Sequence, residues 1–325
     1  MQQEVPQELI DFIKSGENFL IAGHKEPDGD CVGSQLALRS ILLRLGKKAD
    51  VCSAGPFKRT EIKDFAHEFI DPAEKSDENL KVIIVDCSGI ERTGSIQDLL
   101  EKYSFAVIDH HDAVTHEESS QGSPVFVDPE SPSCTLLIEK LLTSLGLKPT
   151  LEEAELLLFG LCTDTGFFRF LTECDDYVFE AAARFLRSGA NPKKIYQKLN
   201  GGKSLNSRFL MGHILLRTEE FFDGRLLISC ETLEEFNEYG LEARDSDSVN
   251  KLLQSIEGVE AIAIIRQEDE ETCTVSLRSA DKVDVGQLAS SLGGGGHKNA
   301  SGLTIKGNIS SIKQIILESF KKYLA

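Results

Sequence analysis

The stretch Asn18-Phe-Leu-Ile-Ala22 runs straight into Gly23-His24-Lys-Glu-Pro-Asp28-Gly-Asp30. An apolar run that stops at a polar loop reads as a short buried strand, and a helix follows it. Leu38, Ile41, Leu42 and Leu45 recur at the helical period, and Gly46 ends the pattern. The same form appears twice downstream. Residues 81–85 (KVIIV) stop at Asp86, and residues 105–108 (FAVI) stop at Asp109. Short buried strands alternating with helices predict an α/β domain with a mainly parallel sheet and helices on both faces. Ligands of such sheets bind outside the carboxyl ends of the strands. The polar clusters at residues 24–30, at Asp86 and at residues 109–111 should therefore meet along one sheet edge.

Helical patterns dominate from Cys134 to about Gly189, where Gly189-Ala-Asn-Pro192 breaks them. Residues 204–219 read as a further helix. From Asp223 a second αβ unit begins, with strand candidates at 226–230, 261–266, 272–277 and 300–305. A glycine-rich loop, residues 293–296, precedes the last of these. A final helix carries Ile309, Ile312, Ile316, Phe320 and Tyr323 on one face. The predicted organisation is a first domain over 1–190, a helical linker over 191–222 and a smaller αβ domain over 223–325.

At 325 residues and 41% hydrophobic content the chain can fill two cores. Its first residues carry acids without a basic-then-apolar pattern, and no apolar run reaches bilayer-spanning length. A cytoplasmic protein with no membrane partner is expected. The eight cysteines are scattered without a C-x-x-C pair, which argues against a zinc cage and for small buried apolar residues in a reducing compartment. Net charge is −18, from 53 acids against 35 bases. Such a surface repels long duplex nucleic acid and suits small anionic substrates.

Chemistry concentrates in a few places. His24, Asp28 and Asp30 share the first loop, where Pro27 and Gly29 shape a tight turn. The competing reading is a solvated turn with Asp30 as a helix cap. Asp86 and Asp109-His110-His111 end strands, and adjacent histidines there should point to opposite sides, one to metal and one to substrate. Asp164 lies where an apolar helical run meets Gly166. Together His24, Asp28, Asp30, Asp86, His110 and Asp164 offer nitrogen and oxygen donors without thiolate, a set suited to Mn2+ or Mg2+. Four carboxylates would balance two divalent ions, and a metal pair can clamp both oxygens of a phosphoryl displacement.

The motifs HKEPDGDCVGS (24–34), VDCSGIER (85–92), VIDHH (107–111), TDTGFFR (163–169) and GGGGHKNASG (293–302) resemble, in order, those of the DHH phosphoesterases that carry a DHHA1 domain, of the nanoRNase (oligoribonuclease)/pAp phosphatase type. The resemblance implies one manganese ion on His24, Asp28 and Asp86, and another on Asp30, Asp86, His110 and Asp164. Asp86 would bridge them. It further implies that Asp109 orients His110, that His111 faces the scissile phosphate, and that a metal-bound hydroxide attacks phosphorus. In the DHHA1 domain Arg278, Ser279, Gly294, Gly295, Gly296 and His297 would hold the nucleotide end away from the cut, and Arg169 is a further phosphate contact. The implied activity is hydrolysis of short oligoribonucleotides, of 3′-phosphoadenosine 5′-phosphate (pAp), or of both. Cyclic di-AMP or linear pApA phosphodiesterase activity is the alternative, and homodimers are common among such proteins. A catalytically retired nucleotide-sensing module would lack a metal ligand, and none is missing. The chain departs from the pattern at Asp112-Ala-Val-Thr-His116 and after Arg169, which bears on substrate preference.

Overall fold

The computed structural model describes residues 3–75, 79–111, 123–280 and 282–324. The departure at Asp112 to His116 therefore lies outside the described residues. The chain forms two compact units that divide between Gly202 and Lys203.

The first unit contains α1 (Gln7–Ser15), β1 (Asn18–Ala22), α2 (Gly29–Arg44), β2 (Lys48–Cys52), β3 (Leu80–Val85), α3 (Gln97–Leu100), β4 (Ser104–Asp109) and β5 (Val125–Val127). It continues with α4 (Cys134–Ser144), α5 (Leu151–Asp164), α6 (Asp176–Arg187) and α7 (Pro192–Asn200). The sheet order is β2-β1-β3-β4-β5 and every pair is parallel. Alternation along the strands splits the core. Phe19, Ile21, Ile83, Val85, Ala106 and Ile108 pack with residues of α2, α4 and α5. Leu20, Ala22, Val82, Ile84 and Val107 face the other way, toward Ile96 and Leu100. The three strands legible in the sequence are the three central ones. Edge strands β2 and β5 escaped because one is half polar and the other three residues long.

Helices α2 and α5 approach closely because glycines line their contact. A Cβ on Gly33 would come within 2.8 Å of the Leu156 carbonyl oxygen. One on Gly160 would stand 2.7 Å from Asp30 Oδ1. This closeness sets Asp30 in α2 beside Asp164 at the end of α5.

The second unit contains α8 (Leu205–Leu216), β6 (Glu219–Phe221), β7 (Leu226–Glu231), α9 (Leu233–Tyr239), α10 (Ser246–Gln254), β8 (Ala261–Gln267) and β9 (Thr272–Ser279). It ends with α11 (Val285–Ser291), β10 (Gly295–His297), β11 (Ala300–Lys306) and α12 (Ile309–Leu324). Its sheet order is β10-β11-β9-β8-β7-β6, with β7–β8 parallel and the other pairs antiparallel. Helices α11 and α12 bury Val275, Leu277 and Ala263 on one face. Helices α8 and α10 cover Leu227, Ile262 and Ile264 on the other. Three expectations need correcting here. Leu324, not Tyr323, completes the buried stripe of α12, since the stripe drifts around the helix over its length. The glycine loop is partly a strand: Gly295, Gly296 and His297 pair with Gly302, Ser301 and Ala300. The helix expected over 204–219 stops at Leu216, and Glu219 opens β6. Helix α7 packs on α5 and α8 on β7, each within its own unit. Among the described residues no helix is long and apolar enough to cross a membrane.

Candidate functional site

Strands β1, β3 and β4 are neighbours, so the residues that follow them converge as the parallel topology requires. Asp86 follows β3 with φ 58°, a left-handed conformation that aspartate tolerates better than most side chains. Its carboxylate reaches two histidines: Oδ2 lies 3.5 Å from His24 Nε2 and Oδ1 lies 3.3 Å from His110 Nε2. His24 Nε2 also stands 3.9 Å from Asp28 Oδ1. His110 Nε2 stands 3.3 Å from Asp164 Oδ2 and 3.8 Å from Asp30 Oδ2. His24, Asp30, His110 and Asp164 thus gather about the Asp86 carboxylate, and Asp28 adjoins the group through His24.

The capping question resolves differently from expectation. Asp28, not Asp30, caps α2, accepting from the backbone N–H groups of Asp30 and Cys31 at 3.1 Å each. Asp30 lies inside the helix and reaches across to the N-terminus of α4. There Cys134 N–H donates to Oδ2 at 2.6 Å, and the Thr135 hydroxyl donates to Oδ1 at 2.7 Å.

Hydrogen bonding fixes how the rings are presented. A backbone carbonyl only accepts, so His24 Nδ1 donates to the Lys25 carbonyl at 2.9 Å and His110 Nδ1 donates to the Ser131 carbonyl at 3.1 Å. In the neutral ring each Nε2 then aims a lone pair at carboxylates that are also electron-rich. Neither His110 Nε2 nor Asp86 Oδ1, both buried, has a hydrogen-bond partner. Lone pairs facing lone pairs at such distances need a positive charge between them, either protons or a cation. The donor set therefore fits divalent metal ions. The protonation tendencies tell the same story. Burial opposes charge on His110, yet Asp164 and Asp86 push its pKa up to about 11. His24 is likewise raised, its burial outweighed by Asp28 and Asp86. Burial raises Asp30 and Asp164, and neighbouring carboxylates add to it. Asp28 is opposed by burial but lowered to about 2 by His24.

His110 and His111 do not point to opposite sides. The strand ends at Asp109, alternation ends with it, and the two ring centroids lie 4.5 Å apart. Asp109, fully buried, holds the ring of His111 rather than that of His110: its Oδ1 accepts from His111 Nδ1 at 2.7 Å and from the His110 backbone N–H at 2.8 Å. The Ser131 carbonyl takes over the orienting role at His110. His111 is partly exposed, and its hydrogen bond to Asp109 raises its pKa.

In the second unit a hollow of about 600 Å³ is lined by Arg266, Thr274, Ser276, Arg278, Gly294 and Gly302 among others. Arg278 shares a sheet face with Thr274 and Ser276, and its Nη1 donates to the Ser276 hydroxyl at 3.3 Å. Ser279 is on the opposite face, buried, with its hydroxyl donating to the Lys298 carbonyl at 3.3 Å. Gly295, Gly296 and His297 lie on the exposed edge strand β10. Arg169 is exposed in the first unit, with its guanidinium 4.7 Å from the Phe170 ring centroid.

With both units described, the chain can be set beside known proteins. Residues 18–161 match the DHH family N-terminal domain and residues 225–324 match the DHHA1 domain. The bifunctional oligoribonuclease and PAP phosphatase NrnA of Thermus thermophilus is 32% identical over 319 residues, covering 97% of this chain and 93% of that protein. The chain belongs to the DHH/DHHA1 phosphoesterases. The cyclic-di-AMP phosphodiesterase GdpP of Bacillus subtilis is 27% identical over 96% of this chain, but only 49% of its own length is covered. An exopolyphosphatase-related protein of Bacteroides fragilis shares the fold, with a TM-score of 0.81 at 23% identity, covering 99% of this chain and 98% of that one.

In this DHH/DHHA1 chain, several site neighbours escaped the sequence reading. Ser131 and Thr135 act from a segment with no motif, so nothing in the sequence marks them. Thr274 and Ser276 were legible, since they precede Arg278 at the strand period of two. Cys31 was set aside with the other cysteines. It is buried, and its sulfur groups with His24 and Asp86.

Proposed function

We propose that this chain hydrolyses short oligoribonucleotides, pAp, or both, using two divalent cations with manganese preferred. The observation that carries the reading is the orphaned Nε2 of His110, aimed at three carboxylates that no lysine or arginine among the described residues pairs with. His24, Asp28 and Asp86 would hold one ion, and Asp86, Asp30, His110 and Asp164 the other. Ions held there offset the charge that builds on phosphoryl oxygens during displacement.

The chain's own residues do the rest. Asp109 locks Nδ1 of His111, which leaves Nε2 as the atom free to meet substrate. From there it can donate to a phosphoryl oxygen and pass its proton to the departing oxygen. Arg278, Gly294, Gly295, Gly296 and His297 would grip the far end of the nucleotide, with Arg278 supplying the cation and the glycines exposed backbone. Ser279 would contribute by packing rather than by contact, and Arg169 would add a phosphate contact. The higher identity to NrnA, 32% against 27% for GdpP, supports short RNA and pAp over cyclic di-AMP.

The test is a substrate screen with manganese. Purified protein should release phosphate from pAp or mononucleotides from RNA of two to five residues faster than it opens cyclic di-AMP. Turnover of none of them, with correctly folded and metal-loaded protein, would refute the assignment. Faster turnover of cyclic di-AMP or pApA would transfer it to the alternative.

A further inference from the structure

We propose that Phe170 is a stacking shelf for a nucleobase of the substrate, presented beside the metal centre by the turn that ends α5. The inference rests on the reading above and adds to it a contact for the uncharged part of the nucleotide.

The turn begins directly after Asp164, whose Oδ2 lies 3.3 Å from His110 Nε2. Gly166, Phe167 and Phe168 have φ values of 56°, 60° and 69°. Two bulky residues in the left-handed region are strained, and such strain persists only where the surroundings impose it. Here buried Thr165 imposes it. Its hydroxyl accepts from the Phe168 N–H at 3.0 Å and donates to the Leu161 carbonyl at 2.6 Å. Its carbonyl accepts from the Phe170 N–H at 3.1 Å. The chain therefore doubles back and sets the Phe170 ring on Gly166, where a Cβ would stand 2.5 Å from the ring. Two peptide units separate Gly166 from Asp164, so their Cα atoms are at most about 7.6 Å apart. That keeps the ring within a nucleotide's length of Asp164.

Packing accounts for the neighbouring rings. Phe168 stacks on Phe179 at 5.3 Å, Phe167 meets Tyr196 edge-on at 5.2 Å, and both Phe167 and Phe168 pack against the core. Phe170 joins none of the ring pairs among the described residues and is 61% exposed. What lies over it is the Arg169 guanidinium, 4.7 Å from the ring centroid. A flat cation resting on an exposed ring marks where a flat base can stack. A base that takes that place sends the guanidinium toward the phosphate, whose charge it can pair. The acids that follow, Glu173, Asp175 and Asp176, disfavour a phosphate at the ring itself and leave it to the base. Every base has a π face, so the shelf accepts short RNA of differing sequence.

The test compares a ribodinucleotide with two analogues, each lacking one base, in wild type, Phe170→Leu and Phe170→Trp. Leucine still covers Gly166 but offers no ring, and tryptophan restores one. With manganese, wild type should show a KM about tenfold lower for the full dinucleotide than for one of the analogues, within the range of a single base–aromatic stack. Phe170→Leu should lose most of that ratio with kcat nearly unchanged, and Phe170→Trp should keep it. A ratio unaltered in Phe170→Leu would overturn the proposal. So would an equal rise in KM for all three compounds, which marks a structural role. If no compound is cleaved, the hydrolytic reading falls and titration calorimetry on chelator-stripped protein decides the shelf alone. Tighter binding of the dinucleotide by wild type than by Phe170→Leu would support the shelf, and equal binding would overturn it.

Discussion

Each unit buries a charged cluster, and the two clusters are built on opposite principles. In the second unit Glu231, fully buried, accepts from Arg244 Nε at 2.8 Å and lies 3.3 Å from Arg266 Nε. Arg244 also donates to Glu268 at 2.9 Å. Two guanidinium groups face two carboxylates, and the charges close on themselves. In the first unit Asp28, Asp30, Asp86 and Asp164 share two histidines, and the guanidinium recorded nearby, that of Arg59, is half exposed at 3.9 Å from Asp28. That cluster is short of positive charge. A cluster with balanced charges serves the fold, whereas an unbalanced one is a candidate cation site.

A carboxylate-to-amide change in each cluster tests the contrast. Asp86→Asn keeps a side chain that tolerates positive φ while removing the charge shared by both histidines. Turnover should fall well beyond the roughly 10–100-fold that losing an outer partner of a metal ligand costs. Wild type should also gain about 2.7 kcal/mol of stability at manganese a hundredfold above its dissociation constant, and Asp86→Asn should lose most of that gain. Near-normal turnover in the variant would remove Asp86 from the centre. Glu231→Gln should behave in reverse. Stripping one partner from a buried charge network costs about 3–5 kcal/mol, read by denaturant unfolding, while the manganese-dependent increment survives. A loss below 1 kcal/mol would mean that the second cluster is not self-contained.

Helix glycines give a milder version of the comparison. Gly33→Ala in α2 must push against the Leu156 carbonyl of α5, at about 1–3 kcal/mol of overpacking. Because that contact sets Asp30 beside Asp164, manganese affinity should weaken as well. Gly212 in α8 has open space where a Cβ would stand. Gly212→Ala should therefore stabilise the chain, by up to about 1 kcal/mol. Thermal melts of both variants with and without manganese would check the pair. Equal effects would break the link between helix spacing and the centre.

The same division explains what the sequence could reveal. Central strands were legible because full burial on both faces leaves uninterrupted apolar runs, and their polar ends named the candidate ligands. Residues that act through the backbone or through another segment's packing were not. Ser131 orients His110 with a carbonyl that any residue would carry, and Asp109 chose His111 over His110 because the chain leaves extended geometry at the strand end. Tyr323 and Leu324 are neighbours on a helix whose stripe drifts, so pattern alone selected the wrong one. Composition marked Cys31 as a small buried residue, and it is buried, with its thiol donating to Gln35 Oε1.

The glycines of the second unit hold the smallest effect and the sharpest control. Gly294 and Gly296 press against β11: a Cβ on Gly296 would stand 2.5 Å from Ser301 Cα, and one on Gly294 would meet the Gly302 carbonyl. Those two are explained by the sheet. Gly295 is not, since a Cβ there meets nothing within 4 Å. Gly295→Ala should leave stability within about 0.5 kcal/mol of wild type, as surface changes away from packing usually do. If backbone at that position approaches a nucleotide, the added methyl group should still weaken nucleotide binding several-fold in manganese-free protein, where turnover cannot interfere. Gly294→Ala should lower stability first. Unchanged nucleotide affinity in Gly295→Ala would return the whole glycine run to a structural role and leave Arg278, in the hollow beside it, as the anchor to test next.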